Sequence, residues 1–377
     1  MAKQKKLSKS QTRRIKANQS KRLAKAKRAN NDVEDVNIDD SLLGGQEFGR
    51  IITRYGMHAD VEVQKRNVTE QDGSKVLTEQ FDQVSDDNNV EIIRCNIRRA
   101  VDSLVCGDIV VWRPYKVNNE DFQGVIEAVE PRTSEFVRPD FYDGLKPVAA
   151  NIDQILIVSA LLPDLTPNII DRYLVAVEQL HIRPIILINK MDLLDETNKD
   201  LLEETVKLYT DIGYQVVTLS AKEEEGIEQI QALLKDHVSV FVGQSGVGKS
   251  SLVNAILPDV NIETKQVSEN SRLGQHTTTA SRFYRLQNGG AVIDSPGVRE
   301  FAMWHLSKDE ILAGFVEFSD FVGLCKFRDC SHKNDPGCAL KQAVSDGKVS
   351  DIRYQSYLRI LQTVDDITLR HQPKDEK

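Results

Sequence analysis

The chain has 377 residues, with 49 Lys or Arg against 57 Asp or Glu, and it exceeds what a single hydrophobic core usually spans, so two to four domains are expected. Residues 1–31 hold twelve Lys or Arg and no acidic residue, leaving 37 basic against 57 acidic side chains and a formal charge of −20 on the remainder. No apolar stretch follows the basic start, and the longest apolar run, near 155–162, stops at Pro163; this argues against a secretory leader or a membrane span and for a soluble, cytoplasmic protein.

Within residues 2–31, Leu7, Ile15 and Leu23 are the only large apolar side chains, so a basic, disordered arm is expected over 1–43. Such a run can dock on RNA phosphates with release of counterions, the alternative being a solubilising tail. An otherwise acidic chain gives an acid-free basic run little solubility rationale, which favours nucleic acid. Over 44–147, short β-type runs at 49–55, 59–64, 90–97, 108–112 and 124–129 alternate with turns and predict a small β barrel, an OB-fold RNA-binding domain. Tyr55, Trp112, Arg98 or Arg99 could meet nucleic acid there, although aromatics in small β domains are more often core.

From 148 to 305 the pattern becomes a parallel α/β sheet. Strands are expected at 154–160, 183–188, 215–219 and 238–242, with helices at 169–180, 201–212 and 227–234. The last strand runs into Gly243-Gln244-Ser245-Gly246-Val247-Gly248-Lys249-Ser250, with Ser251 opening the helix beyond it. This is a phosphate loop in the right context: glycines let backbone N–H groups converge on phosphates, Lys249 supplies charge to the β and γ groups, and the Ser250 hydroxyl suits Mg²⁺. Downstream, Asp294 ends an apolar strand and Gly297 follows in the turn, where they would hold Mg²⁺ through water and sense the γ-phosphate. Between the phosphate loop and Asp294 lies Gly274-Gln275-His276-Thr277-Thr278-Thr279; one threonine should complete the Mg²⁺ shell, with Thr278 favoured over Thr277 and Thr279.

Base identity is carried by Asn189-Lys190-Met191-Asp192 at a strand end. Asp192 can accept from guanine N1 and N2, a pairing adenine cannot reciprocate, while the Lys190 stem packs on the ring. Ser220-Ala221-Lys222 supplies a second base-contacting loop. Both lie upstream of the phosphate loop, the reverse of the usual order, so the domain is circularly permuted. The water-orienting Gln of many GTPases is replaced by Val298, which cannot hydrogen-bond; His276 is the candidate catalytic residue beside Lys249, the alternative being a plain loop histidine.

Beyond 306 a helix at 308–315, the cluster Cys325, Cys330, His332 and Cys338, and a helix near 351–364 form a small, mainly helical domain ending at 377. Three thiols and an imidazole in a cytosolic chain suit one tetrahedral, structural Zn²⁺ better than disulfides, and a segment so poor in apolar residues should draw folding energy from the metal.

The permuted motif order, the strings at 243–251, 274–279 and 294–297, and the Cys/His cluster before a C-terminal helix closely resemble the circularly permuted GTPase family of RsgA, also called YjeQ. The likeness covers roughly 44–364 and does not account for the basic arm; the basic residue common before His276 in that pattern is Gln275 here. It implies a GTPase that binds the 30S ribosomal subunit and its 16S rRNA late in maturation, is stimulated by it, and converts GTP to GDP as a timer or release switch. Two alternatives stand beside it: an RNA chaperone with incidental hydrolysis, and a GTP switch for a non-ribosomal partner. A monomer without membrane contact is the expectation.

Overall fold

The computed structural model describes residues 40–64, 69–71, 74–76, 90–101, 103–117, 121–140, 144–257, 281–287, 289–294 and 306–371. Most of the basic arm, the segment from Gly274 to Thr279 with His276 and Thr278, and the turn holding Gly297 and Val298 therefore lie outside the described residues. The chain divides into two units, Met1–Leu43 and Gly44–Lys377. In the first, the described part is a 3-10 turn at Asp40–Leu42. Among the described residues no helix is long and apolar enough to cross a membrane.

The second unit opens with a closed five-stranded barrel. Its strands are β1 (Glu47–Tyr55), β2 (His58–Gln64), β5 (Ile92–Ile97), β6 (Ile109–Pro114) and β7 (Gly124–Val129); β3 (Thr69–Gln71) and β4 (Ser74–Val76) form a separate hairpin between β2 and β5. Strand β1 pairs with both β2 and β6, β2 with β5, β5 with β7 in parallel, and β7 with β6, which closes the ring. Period-2 alternation sends Ala59 and Val61 inward to meet Ile51, Ile93, Val110 and Ile126. Trp112 belongs to this core, its indole N–H donating to the Phe48 carbonyl at 3.2 Å, so its ring is not offered to a ligand. Arg98 pairs with Glu127 at 3.1 Å, while Tyr55 stays at the surface, stacked on His58.

A hairpin of β8 (Glu135–Asp140) and β9 (Gly144–Ala150), which the sequence pattern did not announce, leads into the α/β layer. That layer holds β10 (Gln154–Ala160), α1 (Pro167–Glu178), β11 (Arg183–Asn189), α2 (Lys199–Ile212), β12 (Gln215–Thr218), α3 (Ile227–Leu234), β13 (Val238–Gly243), α4 (Lys249–Ile256), β14 (Arg282–Arg285) and β15 (Ala291–Asp294). The order is β12-β11-β10-β13-β15-β14, parallel except for β14. Every residue of β10 is buried because the strand is covered on both faces. Ile155 and Ile157 meet α1 and α2 through Ile170, Leu174 and Leu202; Leu156 and Val158 meet α3 and α4 through Ile230, Leu252 and Ile256.

Barrel and α/β layer share one sheet. Strand β1 pairs with β14 at Thr53 and Arg282. The alternation that turns Val61 inward turns Glu62 outward, where it is 2% exposed and takes a two-pronged ion pair from Arg285 of β14. Gly107, at φ +90°, brings the barrel against β9: a Cβ there would overlap the Ala150 carbonyl. The last segment is α5 (Lys308–Ala313), a 3-10 turn (Val316–Phe321), α6 (Ala339–Ser345) and α7 (Asp351–His371). Ser307 and Glu310 close a reciprocal capping box at the start of α5. Its core of Phe315, Phe318, Tyr357 and Ile360 is completed by Val175 and Ala176 of α1. The segment expected to be poor in apolar residues thus builds a core largely of its own side chains, Leu306, Ile311, Leu340 and Leu361 among them, and the neighbouring domain adds to it.

Arg285 is itself 34% exposed, but removing it leaves the buried Glu62 carboxylate charged and without its guanidinium. Arg285→Met should lower unfolding free energy by about 1–3 kcal/mol, while Arg285→Met with Glu62→Leu should recover at least half of the loss. Urea denaturation followed by tryptophan fluorescence, which reports the barrel through Trp112, would measure both.

Candidate functional site

All five parallel strands end on one edge of the sheet, and the chain winds away in opposite directions from β10 and β13. Crevices at such a switch point are where open α/β sheets take ligands. Strand β13 delivers the loop 243–248, β11 delivers 189–192, β12 delivers 220–222, and β15 ends at Asp294 beside β13. Residues far apart in sequence therefore meet at one edge.

Positive φ at Gly243 (143°), Gly246 (85°) and Gly248 (91°) gives the phosphate-type loop its curl, which side chains with a Cβ would resist. Gln244, Ser245 and Gly246 are exposed at its tip, Val247 turns into the core, and Ser250 and Ser251 lie in the first turn of α4. The Lys249 ammonium donates to the carbonyls of Gly243 at 2.7 Å and Gln244 at 2.6 Å, arching over the loop it would share with a bound phosphate.

Three loops are tied by one side chain. Asn189, 2% exposed, donates from Nδ2 to the Val247 carbonyl at 2.9 Å and accepts at Oδ1 from the Ala221 amide at 3.1 Å. Lys190 adopts left-handed geometry at φ 66° and its ammonium donates to the Leu162 carbonyl at 2.6 Å, in the loop after β10. Met191 donates its amide to Leu219, joining the 3-10 turn Met191–Leu193 to the end of β12. The Ser220 hydroxyl donates to Asp192 at 2.7 Å, and Lys222 lies 3.6 Å from the other carboxylate oxygen. The Ser220 contact, aided by Lys222, holds the Asp192 carboxyl below the usual carboxylate range. An ionised, oriented acceptor is what recognition of paired ring N–H donors requires. The Leu162 carbonyl, a backbone group in a loop without a motif, left no sequence signal of its own.

Asp294 lies opposite Arg282 in the β14–β15 pair, at the carboxyl end of the strand next to the phosphate-type loop. A hydroxyl from Ser250 and a carboxylate from Asp294 are hard oxygen donors of the kind Mg²⁺ takes. His276, Thr278 and Gly297 lie outside the described residues.

In the last segment, Cys325, Cys330, His332 and Cys338 bring one ligand atom each to within 4.8 Å of one another. His332 Nδ1 lies 3.6 Å from Cys325 Sγ and 3.5 Å from Cys338 Sγ. A tetrahedral ion with metal–sulfur bonds of about 2.3 Å and metal–nitrogen bonds of about 2.0 Å has sulfur–nitrogen edges of about 3.5 Å, so the donor set fits. Burial pushes the Cys330 thiol up to about 12 and the His332 imidazole down, whereas at Cys325 burial is outweighed by the Ala339 amide and the neighbouring thiols and the thiol is lowered. Tyr354 of α7 donates to the His332 carbonyl at 2.6 Å, anchoring the cluster to the helix. The four residues could hold a metal ion.

A family model described as RsgA GTPase matches residues 129–304. The small ribosomal subunit biogenesis GTPase RsgA 1 of Vibrio parahaemolyticus is 50% identical over 97% of this chain and 95% of its own length. The chain belongs to the RsgA GTPase family. Among solved structures it is similar to YjeQ from Thermotoga maritima, at 29% identity and a TM-score of 0.64 over 85% of this chain and 99% of that one. YloQ, a circularly permuted GTPase, matches at 28% identity and a TM-score of 0.63, over 88% and 98% of the two chains. As an RsgA-family member the protein is a GTP hydrolase of permuted order, with an N-terminal five-stranded barrel and a C-terminal Cys₃His segment.

Asn189→Ala would strand the buried Val247 carbonyl and the half-buried Ala221 amide at once. It should cost about 1–3 kcal/mol of stability in nucleotide-free protein, read as a lower urea midpoint, whereas Met191→Leu should change it by less than about 0.5 kcal/mol.

Proposed function

We propose that this GTPase binds the 30S ribosomal subunit through its 16S rRNA late in subunit maturation, and that hydrolysis of GTP to GDP and phosphate, stimulated by the subunit, times its release. The observation that carries this reading is half identity, over nearly the whole chain, to a relative named for small ribosomal subunit biogenesis. The division of labour we assign is a basic arm over 1–43, an OB-fold RNA-binding domain over 44–147, a permuted GTPase domain over 148–305 and a zinc-binding domain over 306–377.

In this reading Asp192 and Lys190 select guanine, supported by the Ser220–Asp192 bond and by Asn189, while the loop 243–250 cradles the phosphates. Lys249 leaves its two loop carbonyls for the β and γ phosphates. Ser250, Asp294 and Thr278 would hold Mg²⁺, which neutralises charge between the β and γ groups when bound. With Val298 unable to orient water, His276 is the residue we assign to that task, and Gly297 the one that senses the γ-phosphate. Cys325, Cys330, His332 and Cys338 would hold one zinc ion, whose role is structural because all four positions are filled by protein.

GTP hydrolysis by the purified protein, alone and with 30S subunits, 50S subunits or free RNA at matched phosphate concentration, tests the function. Stimulation confined to 30S is expected. Equal stimulation by any RNA would favour a chaperone with incidental hydrolysis, and no stimulation would point to another partner. Separately, protein purified without added metal should carry close to one zinc per chain by elemental analysis. Cys338→Ser, or a strong chelator at denaturing temperature, should lower the melting temperature of the C-terminal segment by at least about 5 °C.

A further inference from the structure

The C-terminal helix sends a charge into the GTPase core. Arg353 of α7 is fully buried, and so is Asp171 of α1, which it meets at 2.5 Å. The same guanidinium takes both oxygens of Glu317, at 2.6 and 2.9 Å, and stacks over Phe315 at 4.4 Å and Tyr209 at 5.8 Å. Asn168, one turn from Asp171, donates to Ser356 of α7 at 2.9 Å, and Gln179 at the end of α1 donates to the Glu310 carbonyl at 3.0 Å. Helix α1 is thus gripped along its length by the C-terminal segment.

A buried ionic cluster is an expensive way to hold two helices, since apolar side chains of similar volume serve stability as well or better; what such a cluster fixes is register and orientation. Here the register reaches the nucleotide edge. The Tyr209 hydroxyl of α2 donates its one proton to Asp171 at 2.6 Å and lies 3.0 Å from the Pro167 carbonyl in the first turn of α1. The loop directly before that turn, Leu161 to Thr166, returns to the site. Leu161 donates its amide to the Asn189 carbonyl at 3.3 Å, and Leu162 accepts the Lys190 ammonium at 2.6 Å. Pro163 lies against Gly246 of the phosphate-type loop, its Cδ 3.8 Å from where a Cβ on that glycine would stand.

We propose that Arg353 is a positioning residue of the nucleotide site, acting through Asp171 and the first turn of α1 to set the loop on which Lys190 and the phosphate-type loop rest. Its consequence is a coupling: a partner that displaces α7 changes guanine-nucleotide affinity, and by linkage bound nucleotide changes the partner's hold on α7. The inference rests on the assignment of the 189–192 and 243–250 loops to GTP.

Full-length protein is assayed for dissociation of a fluorescent GDP analogue, for KM and kcat with GTP, and for thermal unfolding. Arg353→Met alone leaves the fully buried Asp171 charged and without its guanidinium, so the informative variant is Arg353→Met with Asp171→Asn, in which the half-buried Glu317 keeps access to water; Arg353→Lys, which keeps the charge but loses the fork, is the conservative partner. Expected for the double variant is a rise of about 3- to 30-fold in Kd and KM, with kcat and the number of active sites held and Arg353→Lys in between. A KM within about two-fold of wild type in the double variant overturns the proposal, as does a fall in active sites with KM unchanged, the signature of a purely structural contact. If the double variant does not fold, Arg353→Lys decides by the same two readouts. Lys249→Ala is the separate control: if it binds GDP as wild type does, the nucleotide assignment itself fails, whatever Arg353 does.

Discussion

One amide side chain holds the working edge of this protein together. Asn189 reaches the Val247 carbonyl with its nitrogen and the Ala221 amide with its oxygen, and so fixes three loops that the sequence delivers separately. The side chain is buried, the bond to Val247 fully and that to Ala221 in part, so water competes little, and breaking either would cost a backbone group its partner. Nothing in this arrangement depends on which loop comes first along the chain. It depends on the order of strands in the sheet, in which β11, β10 and β13 are neighbours whose carboxyl ends face the same way. That is the physical reason a permuted chain can build the site: hydrogen bonding specifies spatial neighbours, and connectivity has only to be compatible with them.

Connectivity does decide what is attached to the site. In this order the barrel precedes β10 and the Cys/His segment follows β15. Each grips the α/β layer at a different place. The barrel covers the free edge of β14, where an unpaired strand would otherwise present open backbone groups. Glu62 and Arg285 then fix that edge with charges that the alternation of β2 pushes out of the barrel core. The C-terminal segment packs on α1 instead, lending it Phe315 and Phe318 and taking Val175 and Ala176 into its own core. Neither appendage is joined by a loose tether, and the sheet between them is continuous.

Much of this was legible in the sequence, for reasons that differ by element. The barrel strands and the parallel strands follow from alternation and from unbroken apolar runs such as that of β10, and the motif loops follow because phosphate binding leaves so few choices of residue. The β8–β9 hairpin escaped because Pro139 and Pro147 interrupt its pattern, and the pairing survives through a register shift at Phe136 and Val137. Trp112 was open to two readings, since an aromatic in a short strand can face either way; the indole bond to Phe48 is a non-local fact. The Leu162 carbonyl had no signal, being backbone. Asp171 and Arg353 did have one: each falls on the apolar stripe of its helix, Asp171 beside Ile170 and Leu174, Arg353 four residues before Tyr357 and seven before Ile360. A charge on a buried stripe demands a partner, but sequence alone does not say that the two partners are each other, 182 residues apart.

The two attachments have opposite chemical characters, and this bears on how nucleotide state could be transmitted. At the β14 edge the link is made of backbone pairing plus an ion pair, and the same strand pairs with β15, which ends in Asp294. The pairing itself is the single pair Thr53–Arg282, but the Glu62–Arg285 ion pair and the bond from the Ala150 amide to the Cys106 carbonyl hold the barrel at two further points. The barrel is therefore expected to move as one body with the sheet. At α1 the link is made of side chains: a forked guanidinium, two carboxylates and stacked rings, which can exchange one set of partners for another. Helix packing of this kind admits shear of an ångström or two at modest cost, where a sheet admits almost none. If GTP hydrolysis alters how the protein grips a partner, the compliant joint is the one between α1 and the C-terminal helices, and the barrel is the fixed reference against which that joint moves.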